Sequence, residues 1–254
     1  MRKLAFVRNT TCTLGLAITL TLSGCKTTGS DMSGLLSAGM GMATAITMTD
    51  QQMKLIGDQS IAHLDSQHQI APQNSRYAQR LTQLTQGWET VDGQSLEYKV
   101  YILPEINAFA VPNGSIRMYS GLMDEMTDDE VRYVIAHEIG HVVLGHSKRA
   151  FQVAYAASAA REAAAASGNS TAAALSNSEL GELGEKLVNA QFSQTQEHEA
   201  DDYAIKLMQR HGMNADASVT ALRKLEAKYG NSRSLFSSHP AAGDRADRLS
   251  NSLR

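Results

Sequence analysis

Residues 137–141 read His-Glu-Ile-Gly-His, an HExxH segment. Two imidazoles four residues apart lie on one face of an α-helix, about 40° apart around its axis. Both can reach one metal ion. Glu138, next to the first of them, is placed to take a proton from a water on that ion. Chance produces an HExxH in a chain of this length on the order of one time in a hundred, so the surrounding sequence has to support it. A catalytic zinc takes three protein ligands and keeps one position open. HExxH supplies two. The segment Glu197-His198-Glu199-Ala200-Asp201 offers the third. Glu197 and Asp201 are four apart and share a helix face, whereas Glu199 lies about 200° from Glu197 and points elsewhere. Glu197 is therefore the expected third ligand to a single Zn²⁺ per chain. Asp201 is the expected carboxylate that orients a ligand histidine by accepting its other N–H. An acidic pair of this kind without HExxH nearby would read as a solvated helix face.

Other side chains compete for the same metal. His146 is nine residues past His137, about 180° around a straight helix. It reads as a residue at the helix C-terminus, favoured there by the dipole. His198 is one residue off Glu197 and faces away, and His63, His68 and His211 have no partner pattern. The two cysteines are Cys12 and Cys25. Cys12 would leave with an N-terminal leader and Cys25 would carry a lipid, so the metal must rest on His, Glu and Asp alone.

The elements that would position these groups follow from pattern. A helix runs from Gln51 to about Gln69 behind Asp50 as its cap, and a second passes through Tyr77, Leu81 and Leu84 and stops near Gly87. Trp88, the only tryptophan, suits core or helix-end packing. Leu96 to Leu103 alternates as a half-buried strand. Asn107 to Val111 and Ser115 to Tyr119 make two more, joined by a Pro112-Asn113-Gly114 turn. A sheet of about three strands thus precedes the HExxH helix. That helix opens on a capping box, Thr127 with Glu130. Acidic residues in its first turn suit the dipole. Gly140 inside it costs about 1 kcal/mol against alanine, a sacrifice that lets a neighbouring backbone or a substrate come close. Residues 147–174 are alanine-rich around a Ser167-Gly168-Asn169-Ser170 break. They read either as two weakly packed helical pieces forming a mobile element near the site or as plain surface helix. A further helix runs from about Ser178 toward Arg210, Asp216 caps the next, and Pro240 starts a last one ending near Leu253. The fold class is α+β, mostly helical.

The first 24 residues read as a secretory leader. Met1, Arg2, Lys3 and Arg8 precede an apolar run from Thr10 to Leu22 that is too short to span a bilayer. Leu22-Ser23-Gly24-Cys25 resembles the lipobox of bacterial lipoproteins, in which the chain is cut before the cysteine and Cys25 is acylated. Several acyl chains would anchor the protein stably, where one is marginal. Residues 25–49, rich in Gly, Ser, Thr, Ala and Met, read as a lipidated tether, and 50–254 as the catalytic domain. Loss of Arg2, Lys3 and Arg8 takes the formal net charge from −3 to about −6. No basic cluster suits nucleic acid and no later apolar run suits a membrane span.

HEIGH at 137–141, the ExxxD of Glu197 and Asp201, Asn107-Ala108-Phe109-Ala110 upstream and Ser238-His239-Pro240 downstream together resemble the M48 family of zinc metallopeptidases. The resemblance spans nearly the whole of residues 25–254. It implies a zincin-like fold, peptide-bond hydrolysis, zinc on His137, His141 and Glu197, and Glu138 as catalytic base. It also brings in His239, in an HP-x4-R pattern closed by Arg245. His239 has three readings: oxyanion stabiliser, displaceable fourth ligand, or a histidine that merely starts the last helix. Asn107, Ala108, Phe109 and Ala110 form either a core strand or an exposed sheet edge that pairs with an extended substrate. Segment 147–175 or the loop before His239 would cover the site until a substrate arrives. The resemblance further implies quality control of misfolded envelope polypeptides. Partners would then be other envelope proteases or the outer-membrane assembly machinery. Lys26 after Cys25, where aspartate would retain a lipoprotein in the inner membrane, points to the periplasmic side of the outer membrane. The rival reading is a chaperone-like module that holds outer-membrane proteins with little proteolysis.

Overall fold

The computed structural model describes residues 48–165, 177–230 and 239–254. The leader, Cys25, most of the tether and the break at 167–170 lie outside the described residues. Among the described residues no helix is long and apolar enough to cross a membrane.

Helix α1 (Asp50–Gln67) starts on a reciprocal cap between Thr49 and Gln52, so the cap is Thr49 and not Asp50. Thr49 has the extended backbone that a cap residue needs and Asp50 is already helical. Helix α2 (Arg76–Leu84) follows. The Asp92-Gly93 turn then closes a short hairpin, β1 (Thr90–Val91) with β2 (Gln94–Ser95). An Asp-Gly pair is a hairpin signal that the sequence carries plainly.

Strands β3 (Glu97–Tyr101), β4 (Ala108–Ala110) and β5 (Ser115–Tyr119) make a mixed sheet in the order β3-β5-β4. The pair β3–β5 is parallel and β4–β5 antiparallel. The period-2 alternation of β3 gives way at Tyr101, which is fully buried because α1 covers that face. All five residues of β5 are buried, Arg117 included. Its guanidinium makes a two-pronged pair with Asp65 of α1, Nε to Oδ1 at 2.8 Å and Nη2 to Oδ2 at 2.9 Å. Lys99 and Tyr101 donate to the same carboxylate at 2.8 and 2.7 Å. Burial alone would raise the Asp65 pKa. The hydrogen bonds from Arg117, Lys99 and Tyr101 outweigh it and hold the group at about 2. Helix α1 is thus fastened to the sheet by charge as well as by Met53, Ile61 and Leu64.

After the short α3 (Ser120–Glu125), helix α4 (Asp128–Val143) carries the HExxH segment. Its capping box is present: the Thr127 N–H donates to the Glu130 carboxylate at 2.8 Å and the Glu130 N–H to the Thr127 hydroxyl at 3.4 Å. Lys224 reaches the same carboxylate at 2.7 Å. From Val131 to Val142 α4 is buried on all but its Arg132 side. This is a central helix.

The chain turns at Gly145, in the left-handed region at φ 75°, and continues as α5 (His146–Ala165). The stretch expected as one helix toward Arg210 is two, α6 (Asn177–Val188) and α7 (Gln194–Arg210). The division has a local cause. Ser193 and Gln196 form a further capping box, a motif that marks a helix N-terminus. Helix α8 (Ala217–Tyr229) follows without a side-chain cap from Asp216, whose backbone is already helical. Asn214 instead accepts the Asp216 N–H at 3.1 Å. The last helix, α9 (Ala242–Ser252), packs on α8.

Among the described residues, helices α4 and α7 make the most extensive inter-element packing. Gly140 permits it. A Cβ there would stand 3.1 Å from the Ala200 carbonyl oxygen and 3.2 Å from its Cα. The space at Gly140 is therefore taken by the backbone of α7 and leaves no room for substrate. Close approach of these two helices brings the two sequence motifs together.

Candidate metal centre

The side chains of His137, His141, Glu197 and His239 are buried and each offers one donor atom, all within 4.8 Å of one another. The Nε2 atoms of His137 and His141 are 3.0 Å apart. Glu197 lies 3.4 Å from His137 Nε2 through Oε2 and 3.5 Å from His141 Nε2 through Oε1. His239 Nδ1 stands 3.0 Å from Glu197 Oε1 and 3.2 Å from His137 Nε2. Glu197 Oε2 is buried and accepts no hydrogen bond among the described residues, although Arg245 Nη1 is 2.5 Å away. That contact is an ion pair without hydrogen-bond alignment. Ring nitrogens converging on an under-satisfied carboxylate, with no thiolate among the donors, fit a Zn²⁺ ion.

Behind His137 the carboxylate of Asp201 lies 3.0 Å from Nδ1. Its Oδ1 also accepts from the Tyr133 hydroxyl at 2.7 Å, and Arg245 grips both of its oxygens, Nη2 to Oδ1 at 2.5 Å and Nε to Oδ2 at 2.9 Å. Burial opposes ionisation of Asp201, but the Arg245 charge overrides it and holds the carboxyl well below the usual range. The same balance of burial against Arg245 applies to Glu197. Burial and Arg245 both disfavour charge on His137, yet its pairing with the Asp201 and Glu197 carboxylates outweighs them and lifts the metal-free imidazole to about 9. An arriving metal must displace that proton. Burial dominates at His141 and pushes it well below its ordinary value.

Glu138 is buried and its Oε1 lies 3.3 Å from His239 Nε2. An apolar cavity lined by Ala108, Val134, Leu222 and Leu225 opens beside Glu138, His137 and His239. Ala108 belongs to β4, whose three residues are all buried. Two groups set aside in the sequence reading are here. His146 is buried with Nδ1 3.1 Å from His141 Nδ1, and its Nε2 meets Glu199 Oε2 at 3.0 Å. The straight-helix extrapolation fails because Gly145 breaks the helix just before His146. Phe192, in the short segment between α6 and α7, stacks on the His141 ring at 3.9 Å and 29°. Arg245 is the other member that helical spacing could not assign. Its signal is the HP-x4-R pattern.

Residues 61–253 match the sequence profile of peptidase family M48. The chain belongs to that family. It is a zinc metalloendopeptidase with a zincin-like, mostly helical fold. It is 45% identical to Metalloprotease LoiP of Escherichia coli K12 over 93% of each chain. It is 37% identical to Metalloprotease YcaL of the same organism over 96% of this chain and 97% of the other.

Proposed function

We propose that His137, His141 and Glu197 hold the zinc, that Glu138 is the catalytic base, and that His239 completes the resting site as a displaceable fourth ligand. The observation that carries this reading is the convergence of four buried donor atoms from three separate segments, with the Glu138 carboxylate beside them. Zinc, when bound, acidifies water to a pKa near 7 and polarises a carbonyl. Glu138 accepts the proton of the attacking water and returns it to the leaving amine. His239 faces the cluster through Nδ1 and Glu138 through Nε2. Four protein ligands make a closed site, so His239 has to swing aside before water and substrate can enter. The displaced ring is then near enough to donate to the oxyanion.

The substrate is a polypeptide in extended form. The β4–β5 ladder supports pairing along Asn107, Ala108, Phe109 and Ala110. The Tyr119 N–H bonds to the Asn107 carbonyl and the Val111 N–H to the Ser115 carbonyl. By the two-residue alternation of an antiparallel pair, the backbone groups of Ala108 and Ala110 face the other edge. Asn107 Oδ1 occupies the Ala108 N–H at 2.9 Å, so the Ala110 groups are the ones offered to an incoming strand among the described residues.

The biological reading is a lipid-anchored protease on the periplasmic side of the outer membrane, acting on misfolded envelope proteins. The lipobox at Cys25 and the leader before it support this. Zinc analysis together with casein cleavage, with and without a chelator, tests the enzyme. The Glu138→Gln variant should keep its zinc and lose activity by a factor of about 10²–10⁴. A Glu138→Gln protein that restores envelope function in cells would favour the chaperone-like alternative. Palmitate labelling lost in Cys25→Ala tests the anchor.

A further inference from the structure

We propose that His146 and Glu199 form a positioning arm for His141, which sets the affinity of the site for zinc. The inference rests on the ligand assignment above. With Nε2 of His141 turned to the metal, the single proton of the neutral ring sits on Nδ1. That N–H points at His146 Nδ1, 3.1 Å away. His146 Nδ1 then accepts, so its own proton is on Nε2, which lies 3.0 Å from the Glu199 carboxylate. One assignment of protons satisfies every contact in the row, and it leaves Nε2 of His141 as the lone-pair donor. The alternative tautomer of His141 would put a proton where the metal binds.

Three further features support a dedicated arm. His146 is a buried polar side chain, 6% exposed, and burying an imidazole is unfavourable unless both nitrogens find partners. Phe192 stacks on the face of the His141 ring at 29°. The ring is thus fixed in its plane by the hydrogen bond and across its face by the stack. Gly145, at φ 75°, ends α4 and starts the next helix in a new direction. That turn carries His146 back to His141.

Partners of this kind typically contribute 10–100-fold to metal affinity. The test is the zinc dissociation constant of the full folded chain, measured by competition with a chromophoric chelator, beside the melting temperature of the metal-free protein. His146→Leu should bind zinc about 10–100-fold more weakly, while His146→Asn, which keeps an acceptor near the Nδ1 position, should stay within about threefold of wild type. Glu199→Ala, on an exposed carboxylate, should give an intermediate loss with an unchanged metal-free melting temperature. A merely structural His146 would instead lower that temperature equally in the leucine and asparagine variants. Wild-type zinc affinity in His146→Leu, or equal weakening in both His146 variants, overturns the proposal. Should His146→Leu not fold, wild-type affinity in Glu199→Ala overturns it as well. A His141→Ala control separates the two readings. If that variant keeps wild-type affinity, the ligand assignment itself is wrong; if only it loses zinc, the arm alone is.

Discussion

The two histidines of the HExxH segment are backed in opposite ways. His137 leans on Asp201, a fully buried carboxylate gripped by Arg245 and Tyr133. His141 leans on a neutral imidazole, His146, whose own support is Glu199 with 55% of its side chain exposed. The first arrangement places formal charges in the interior, where each is tolerable only while its partner stays. The second reaches water through an uncharged ring and involves no buried ion. Support behind a candidate metal ligand can therefore be coupled to the stability of the fold, as at His137, or nearly free of it, as at His141.

The sharpest way to break this contrast is Arg245→Met. It leaves Glu197 and Asp201 buried without their cation, and the metal-free protein should lose about 3–5 kcal/mol in urea unfolding. Saturating zinc should recover much of that loss, because the ion supplies the missing charge. Equal losses with and without zinc would mean that Arg245 serves the fold alone.

Asp65→Asn is the control away from the site. Removing the carboxylate from buried Arg117 should destabilise the protein by about 2–3 kcal/mol and leave the zinc dissociation constant unchanged. Its pH dependence follows from the sign of the shift. The folded pKa, about 2, lies below the unfolded value of about 3.9. The contribution is therefore whole above about pH 4 and disappears as pH falls toward 2. An acid titration of unfolding should show a shallower limb in Asp65→Asn.

Asp201→Asn should weaken zinc binding about 10–100-fold, and it should also lower the melting temperature, since Arg245 loses a charged partner. Glu199→Gln is the smallest perturbation. It keeps an acceptor for His146, and chelator competition should find affinity within about threefold of wild type with no change in melting temperature. If Asp201→Asn and Glu199→Gln behaved alike, the distinction between the two arms would collapse.

Much of this layout was legible in the sequence because it depends on short-range periodicity. The capping box of Thr127 and Glu130, the four-residue spacing of His137 and His141, and that of Glu197 and Asp201 are local rules, and the three strands carried their own turn signals. What escaped depends on where one helix stops. Treating Ser178 to Arg210 as continuous overlooked the Ser193–Gln196 box, although its S-x-x-Q pattern is in the sequence. Treating the HExxH helix as running through residue 146 put His146 on the wrong side. Helical arithmetic also sent Glu199 away from the candidate metal cluster, which is where it lies, but overlooked its contact with His146 at 3.0 Å. The HP-x4-R pattern flagged Arg245, but no helical spacing gave its role, because its reach to Asp201 and Glu197 depends on tertiary packing.

Gly145 has a consequence for how this protease competes for metal. A methyl group added there would touch nothing within 4 Å, so packing does not forbid a side chain. The left-handed backbone does, at about 1–2 kcal/mol for an L residue. A chain that relieved this by continuing the helix would carry His146 away from His141. With a tenfold weaker site, protein that was half loaded falls to about one-tenth loaded at the same free zinc. One backbone dihedral, remote from any bond to the ion, would then decide what fraction of these molecules is active when zinc is scarce.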